Sequence, residues 1–359
     1  MRVTLPRAMS SRPTVTVVVP CYKYGHFLPH MVSSVLSQEG VDARVIIVDD
    51  ASPDDSAEVA LRLAAADSRV TVLVHEQNKG HIATYNDGLA LVETEFVSLV
   101  SADDVVAPGA LARATGLMTA HPSVGLVYGH AGSFSGDAGE AIKAPKLPNT
   151  WTVWRGREWI RWAARRGRNF ILSPEVVLRT AALRELGGYN PELPHSGDLE
   201  YWLRTAASWD IGRVNGSSQA YYRVHGGNMH LTRFATMAVD LHHRLAAFDV
   251  LAGDDIRDQL PGGEALLARA RKAVAREARN LATRELDTGA PVASVRPLLD
   301  FADEIHPIAA GPLSARMLRW RITRANDGKR PAMVQRTAER VRRQIDRLRW
   351  RAWEEIGIS

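Results

Sequence analysis

The first third of the chain alternates short apolar runs with amphipathic segments. Runs rich in β-branched residues predict strands at 15–19, 44–48, 70–74, 96–100 and 125–128. Between them, apolar residues recur three and four positions apart, which predicts four helices. The first covers 27–38, the second begins near 55, the third ends at 91 and the fourth covers 108–120. Strands that alternate with helices of this length are typical of a mostly parallel sheet with helices on both faces. We therefore expect an α/β fold.

The pattern changes further along the chain. Between 133 and 168 it loosens into a segment rich in Trp and Arg, which either lines a binding groove or forms a surface helix. Strands are then predicted at 175–178 and 219–224, helices at 181–186 and 199–207, and only helices after about 231. These changes predict a disordered segment 1–12, an α/β domain 13–232 with halves 13–130 and 131–232, and a helical region 233–359.

Two apolar stripes mark the C-terminal region. The first consists of Leu267, Ala270, Val274, Ala278 and Leu281, and the second of Val334, Ala338, Val341, Ile345, Leu348 and Ala352. An amphipathic stripe usually faces a core, so the second helix is expected to pack on the α/β domain or on a second subunit, which would make a homo-oligomer. Arginines, Trp350 and Trp353 flank this stripe, which leaves open a helix that lies on anionic lipid.

Composition indicates the compartment and the class of partner. The 359 residues include one cysteine, Cys21, so we exclude an intramolecular disulfide and expect a reducing, cytoplasmic compartment. No apolar run reaches the roughly 18 residues of a membrane span. After residue 312, 13 Lys and Arg stand against 5 Asp and Glu. The sequence has neither the spacing of a zinc site nor the pattern of a recognition helix, so we expect no nucleic-acid partner. The basic tail is instead expected to contact the inner face of the cell membrane.

Two adjacent carboxylates, Asp103 and Asp104, follow the predicted strand 96–100. Like charges this close raise one another's pKa unless a positive group lies beside them. A divalent cation is the simplest explanation. The carboxyl ends of the strands are also the edge at which open α/β sheets bind their ligands. The pair therefore predicts a metal held together with a phosphate-bearing molecule.

Three further segments reach the same edge. Tyr22 leaves the first strand in a position to lie against a flat ring, and Asp50 could accept a hydrogen bond from the imide N–H of a base such as uracil. Asn78-Lys79-Gly80 precedes a helix whose N-terminal amides favour phosphate. Each segment alone has the composition of an ordinary turn. Their order on one sheet makes the set more specific, and it predicts a nucleotide site.

Over about 15–230 the chain resembles the family 2 glycosyltransferases, which have the GT-A fold. Beyond the segments above, the resemblance rests on Ser173-Pro174-Glu175-Val176-Val177-Leu178-Arg179, Leu186-Gly187-Gly188-Tyr189-Asn190, Gly197-Asp198-Leu199-Glu200-Tyr201-Trp202-Leu203-Arg204 and Tyr222-Arg223-Val224-His225. It implies a GT-A nucleotide-sugar-binding domain and an inverting transferase. The expected donor is a UDP-linked sugar, and the expected acceptor is a hydroxyl of a glycan or a lipid-linked glycan of the cell envelope.

The resemblance also assigns the donor-binding residues. Pro20, Tyr22 and Asp50 would form the nucleoside pocket, and Gly80 would lie beside the donor. Asp103 would contact the ribose or the metal.

The remaining roles implied by the resemblance concern the metal and the chemistry. Asp104 would coordinate Mn²⁺ or Mg²⁺, and His225 would lie near the diphosphate or the metal. Asp198 would be the general base. Glu200, two positions further along the same helix, would face roughly 200° away from it.

The chain departs from the family pattern at two positions. Ser101 stands where many members carry a further acid before the carboxylate pair, which leaves one strong carboxylate ligand for the metal. Gly197 stands where an acid often precedes the base. Two alternatives stay open: a nucleotidyltransferase, although no Gly-rich phosphate loop follows the first strand, and a non-catalytic scaffold of the same fold at the membrane.

Overall fold

The computed structural model describes residues 1–7, 11–136, 150–226, 237–307, 313–329 and 331–356. The chain forms two compact units. The first contains Met1–Ile160, Asn169–Asn228 and Asp258–Leu260, and the second contains Arg161–Arg168, Met229–Arg257 and Pro261–Ser359. The predicted boundary between 232 and 233 lies outside the described residues.

The first unit is a mixed α/β structure built on a large sheet. Its strands are β1 Arg2–Thr4, β2 Thr14–Cys21, β3 Asp42–Asp49, β4 Val70–Val74, β5 Phe96–Leu99, β6 Val105–Val106, β7 Val124–Tyr128, β8 Ala131–Phe134, β9 Thr150–Trp154, β10 Val177–Arg179, β11 Asp210–Asn215 and β12 Ala220–Arg223. Its helices are α1 Leu28–Leu36, α2 Ser56–Ala66, α3 His81–Ala90, α4 Ala110–Ala120, α5 Gly156–Arg166, whose second half belongs to the other unit, α6 Thr180–Leu186 and α7 Gly197–Ser208.

The large sheet has the order β1-β9-β11-β7-β10-β5-β2-β3-β4 in the described residues. Seven of these nine strands run in the same direction, and only β9 and β10 run against them. The centre of β2 is fully buried at Val15, Val17, Val18 and Val19, as expected for an apolar run covered on both faces. The predicted α/β fold with a mostly parallel sheet is therefore confirmed.

A second sheet, in the order β6-β12-β8, lies beyond the carboxyl end of β5. Strand β12 pairs with β6 in antiparallel register, with Ala220 opposite Val106 and Tyr221 opposite Val105. This register carries the end of β12 toward the residues that precede β6. The small sheet thus brings the segment after Tyr221 to the carboxylate pair.

The sequence pattern and the structure differ at the edges of the first unit. The pattern predicts a disordered segment 1–12, whereas Arg2–Thr4 form β1 and pair with β9, Val3 opposite Thr152. It also gives no indication of β11, which joins the sheet between β7 and β9. Both strands draw their stability from backbone pairing with strands far along the chain, which local periodicity does not report.

The second unit is helical in its described residues: α5 from Arg161, then α8 Met237–Asp249, α9 Gly263–Thr288, α10 Val292–Ile305, α11 Leu313–Asn326 and α12 Met333–Ile356. Its core includes the buried Ala270, Val274 and Ala278 of the predicted α9 stripe, together with Val295 and Phe301 of α10. In the described part of the chain, no helix combines the length and apolar character needed to cross a membrane.

Helix α12 carries the second predicted apolar stripe, and the stripe residues that can be described are exposed. Val341, Ile345 and Leu348 are 51%, 42% and 61% exposed, whereas Gln335 and Glu339 are 2% and 8% exposed. These three residues therefore do not face the core of this unit, and packing of the stripe on the α/β domain or on a second subunit stays a prediction. The physical reason for this orientation is a buried ionic cluster around Asp287, which binds the polar face of α12.

Candidate active site

The site is built where β2 and β3 end side by side, with Cys21 paired to Asp49. The loops that follow contain the two described non-glycine residues with positive φ, Lys23 at 62° and Ala51 at 53°. The amide of Lys23 donates to Ser52 Oγ at 3.0 Å, which ties one loop to the other. Left-handed backbone at non-glycine residues persists only where surrounding contacts hold it, and such residues cluster at functional sites.

Asp50 holds the segment Asn78-Lys79-Gly80 in place. Its Oδ1 accepts hydrogen bonds from the Lys79 amide and from His75 Nδ1, both at 2.8 Å, and its Oδ2 accepts one from the Gly80 amide at 2.9 Å. Burial raises the pKa of Asp50, but these hydrogen bonds together lower it below its usual value. These hydrogen bonds use three of the about four acceptor positions that a carboxylate offers.

A second carboxylate extends this cluster. His75 is almost fully buried, and its Nε2 lies 3.0 Å from Asp87 Oδ2 without a hydrogen bond. The Lys79 ammonium lies 2.8 Å from the same Asp87 oxygen. The imidazole therefore stands between two carboxylates. Sequence reasoning missed His75 and Asp87, although both sit beside predicted segments, because isolated acids and histidines carry no spacing signal.

The carboxylate pair lies opposite the end of β12. The Arg223 amide donates to Asp104 Oδ1 at 2.9 Å, and Arg223 Nε donates to the Asp103 carbonyl oxygen at 2.8 Å. Both carboxylates are buried, at 6% and 2% exposure. Burial first, and the neighbouring Asp103 charge second, raise the pKa of Asp104 well above its usual value. The repulsion that the sequence implies is thus present in the structure.

His225 reaches the pair from the same strand end. Its Nε2 lies 2.9 Å from Asp103 Oδ2, and its ring packs edge-on against Tyr24, with 5.5 Å between the ring centres. The structure therefore brings Asp103, Asp104 and His225 together, as the sequence predicts.

Asp198 stands in the first turn of α7. Ser173 Oγ donates to Asp198 Oδ2 at 2.8 Å. Desolvation raises the pKa of Asp198 above its usual value, and this hydrogen bond opposes the rise. The charges of Asp198, Asp103 and Asp104 all reach Tyr85 and raise its pKa further after desolvation.

Glu200 is occupied elsewhere. It is 3% exposed, and its Oε1 accepts a hydrogen bond from Arg204 Nε at 2.7 Å. The helical geometry that favours Asp198 over Glu200 as the base is consistent with this pairing.

The remaining donor-side positions have contrasting surroundings. Tyr22 is 42% exposed and available to a ring, whereas Pro20 is partly buried in β2. Gly80 has φ 83°, with nothing within 4 Å of the place where a Cβ would stand. Glycine is therefore required there by backbone conformation and not by lack of space.

The Trp-rich segment contributes mainly to the core in the first unit. Trp151 and Trp159 are 2% and 1% exposed, and Trp154 stacks on Tyr128 with 6.2 Å between ring centres. Residues 137–149 of this segment lie outside the described residues. Trp151 and Trp159 therefore cannot line a binding groove, because their buried indole rings are not accessible to a ligand.

Comparison with known proteins assigns part of the chain to a family. Residues 16–173 match the family model "Glycosyl transferase family 2". The chain carries a family 2 glycosyltransferase domain. GlyG, a glycosyltransferase of Streptococcus pneumoniae, is 38% identical over 93 residues, covering 26% of this chain and 31% of that protein. The succinoglycan biosynthesis protein ExoO of Rhizobium meliloti is 34% identical over 108 residues, covering 30% of each.

Solved structures support the GT-A fold of the glycosyltransferase domain. S. aureus TarS 1–349 in complex with UDP-GlcNAc superposes with a TM-score of 0.59 at 16% identity, covering 88% of this chain and 92% of that one. The Pyrobaculum calidifontis mannosyltransferase PcManGT, in complex with GDP-Man and Mn²⁺, gives 0.54 at 17% identity, covering 92% and 84%.

The sequence matches span only part of the relatives. The chain covers 62% of an uncharacterized protein of Mycobacterium tuberculosis, to which it is 27% identical, and about a third or less of GlyG and ExoO. The domain's family is thus known, and the substrates of the whole protein are a matter for proposal.

The carboxylate pair suits a divalent cation in its chemistry. Carboxylate oxygens are ligands for Mg²⁺ and Mn²⁺, and Mn²⁺ also accepts imidazole. Two adjacent buried acids, one with its pKa raised by burial and then by the charge of the other, are the electrostatic condition that a cation relieves. Among the described residues, no group of three or more His, Cys, Asp or Glu side chains forms a ready metal cage. The residues therefore fit a cation whose other ligands are phosphate oxygens.

Proposed function

We propose that the protein is a metal-dependent, inverting glycosyltransferase. It transfers a sugar from a nucleotide-sugar donor, with uridine as the nucleoside, to a hydroxyl of a glycan or lipid-linked acceptor in cell-envelope polysaccharide synthesis. The observation that carries this proposal is that Asp50 and the Asp103–Asp104 pair follow β3 and β5 at one sheet edge, with His225 beside Asp103. The names of GlyG and ExoO, and the UDP-GlcNAc bound to TarS, support the reaction class and the uridine donor.

The donor half of the proposal rests on Asp50 and Tyr22. The remaining acceptor position of the Asp50 carboxylate suits an imide N–H, which uracil has. Tyr22 is exposed enough to lie against the base. The GDP-Man bound to PcManGT shows that the fold also accommodates guanosine, so the nucleoside is the first point to test.

The metal-side residues would act on the leaving group. Asp104, with Asp103 and His225 beside it, would hold Mn²⁺ or Mg²⁺. When bound, such a cation stabilises the negative charge that develops on a departing nucleoside diphosphate. Arg223 fixes this part of the site, because it donates both to Asp104 and to the backbone of Asp103.

Asp198 supplies the base. Its raised pKa makes the carboxylate a stronger proton acceptor than an exposed aspartate near neutral pH. It removes the acceptor hydroxyl proton as the oxygen attacks the anomeric carbon from the face opposite the leaving diphosphate. Ser173 holds Oδ2 of Asp198 and orients the carboxylate. A single displacement of this kind inverts the anomeric configuration, and it needs no nucleophile from the protein.

The test is calorimetric titration of the full chain with UDP, GDP, UDP-sugars and GDP-sugars, with and without Mn²⁺, repeated with Asp104→Asn. We expect Mn²⁺-dependent binding of uridine nucleotides that the variant weakens. Preferential binding of GDP would overturn the uridine assignment and leave the reaction class intact. Absence of nucleotide binding under every condition would overturn the transferase proposal and favour a non-catalytic scaffold.

A further inference from the structure

Helix α12 exposes the apolar stripe formed by Val341, Ile345 and Leu348. These residues follow one another at four and three positions, so they lie within about 60° of arc on one face. Each is at least 42% exposed. Three exposed aliphatic side chains in one row form a continuous apolar ridge, which differs from the single apolar residues common on protein surfaces.

The opposite face of α12 is held by a buried ionic cluster. The Asp287 carboxylate of α9 is 1% exposed and accepts hydrogen bonds from Arg321 Nε at 2.7 Å, Gln335 Nε2 at 3.0 Å and Arg342 Nη1 at 2.9 Å. A buried carboxylate without partners is more costly than exposed aliphatic side chains. The cluster therefore fixes the helix with its polar face inward and its apolar stripe outward.

The flank of the stripe is basic. Arg340 and Arg347 are exposed and lie roughly 100–120° around the helix from Val341, beyond the edge of the stripe. Two copies of this face, brought together, would set arginine against arginine, which opposes self-association. An anionic phospholipid surface offers the complementary charge at the headgroups and an apolar layer beneath them.

We infer that α12 docks this protein onto anionic phospholipid, with Val341, Ile345 and Leu348 entering the acyl boundary and Arg340 and Arg347 at the headgroups. The inference is independent of the proposed function, because it uses only residues of the second unit. It assigns the exposed stripe a role as a reversible membrane contact.

The experiment is vesicle flotation of the full chain. One set of vesicles is phosphatidylcholine alone, and the other is an equimolar mixture of phosphatidylcholine and phosphatidylglycerol. We expect binding to the anionic vesicles only, and loss of binding at high salt. Ile345→Ser and Leu348→Ser should each weaken the partitioning about tenfold. Arg340→Gln and Arg347→Gln should each weaken it about fivefold, because one basic residue near the surface contributes about a factor of five.

Leu61→Ser is the matched control, because Leu61 is 55% exposed on α2 of the other unit. It should float like the unchanged protein. Binding that Ile345→Ser and Leu348→Ser leave unaltered would overturn the assignment of the stripe. Absence of vesicle binding, with sedimentation velocity showing a dimer that Leu348→Ser dissociates, would overturn it in favour of a second copy as the occupant. Circular dichroism of each variant checks that the helices are retained.

Discussion

Two acidic regions at the same sheet edge differ in how their charges are satisfied. Around Asp50, three hydrogen-bond donors of the chain meet the carboxylate and lower its pKa. Around Asp104, burial and the neighbouring Asp103 raise the pKa instead. The hydrogen-bond donors around Asp50 outweigh its desolvation, whereas the Asp103 charge adds to the desolvation of Asp104.

The difference separates a region that the chain completes from one that we expect a ligand to complete. Asp50 fixes the loop 75–80 by accepting hydrogen bonds from His75, Lys79 and Gly80, so contacts of the chain itself hold this region in place. The Asp104 region holds two acids together with few hydrogen-bond donors. Their repulsion lowers the free energy of unfolding, and a bound cation would remove this destabilisation. Substitutions in the two regions should therefore have opposite effects on stability.

The largest expected effect lies outside both regions. Asp198→Asn removes the proposed base and leaves the contacts of Asp50 and Asp104 unchanged. We expect turnover to fall by about 10³-fold, within the range for loss of general-base catalysis, with donor affinity unchanged. The rate of nucleoside diphosphate release in the presence of acceptor, compared with calorimetric donor binding, measures the two effects. A parallel loss of donor affinity would contradict the assignment of Asp198 as the base.

Asp104→Asn tests the region that we expect a ligand to complete. Mn²⁺-dependent affinity for the nucleotide should fall by at least roughly tenfold. Without metal, the variant should unfold at a higher temperature than the unchanged protein, since it removes one of two repelling buried acids. The pKa of Asp104 in the folded state is raised, so the penalty is absent below the ordinary value of 3.8 and grows as pH rises above it. The gain in melting temperature should therefore be largest at neutral pH.

Asp50→Asn tests the region that the chain completes, and it should act in the opposite direction. The variant loses charge-assisted hydrogen bonds to His75 and the loop, which should destabilise the fold by about 2 kcal/mol at neutral pH. Because the pKa of Asp50 is lowered in the folded state, this stabilisation is present above about 3.8 and is lost as pH falls through the lowered pKa. Urea unfolding of both proteins at several pH values measures it. Asp67→Asn is the control, because Asp67 is paired with Arg69 at the surface.

The contrast between Asp50 and Asp104 also shows which parts of the fold and the candidate site could be predicted from the sequence. The strands β2 to β5 follow from apolar runs, because burial on both faces requires them. Asp50, the carboxylate pair and Asp198 follow from their positions after strands or in the family motifs. The hydrogen bonds that separate Asp50 from Asp104 do not follow, because they come from backbone amides and from His75, which is 25 positions away.

Helix α12 shows the other limit of sequence interpretation. Its 3.6-residue periodicity correctly predicts a helix, but the hydrophobic stripe is not the face of the helix that packs within its own unit. The decisive residue is Asp287 on another helix, whose buried charge recruits Gln335 and Arg342 from the polar side. The hydrophobic pattern of one helix contains no information about a buried charge on the neighbouring helix.

The smallest expected effect concerns Ser173, which acts through Asp198 and is a positioning residue. Its hydroxyl donates to the Asp198 carboxylate and so favours the ionised form. Ser173→Ala should raise the pKa of Asp198 further and move the acidic limb of the pH–rate profile to higher pH. At pH values above that limb, turnover should fall only by about tenfold or less, because the base is still present. Ser173→Thr keeps the hydroxyl and should restore the original limb. A loss of turnover that is equal at all pH values would instead assign Ser173 a structural role, since the titration of Asp198 would then be independent of this hydrogen bond.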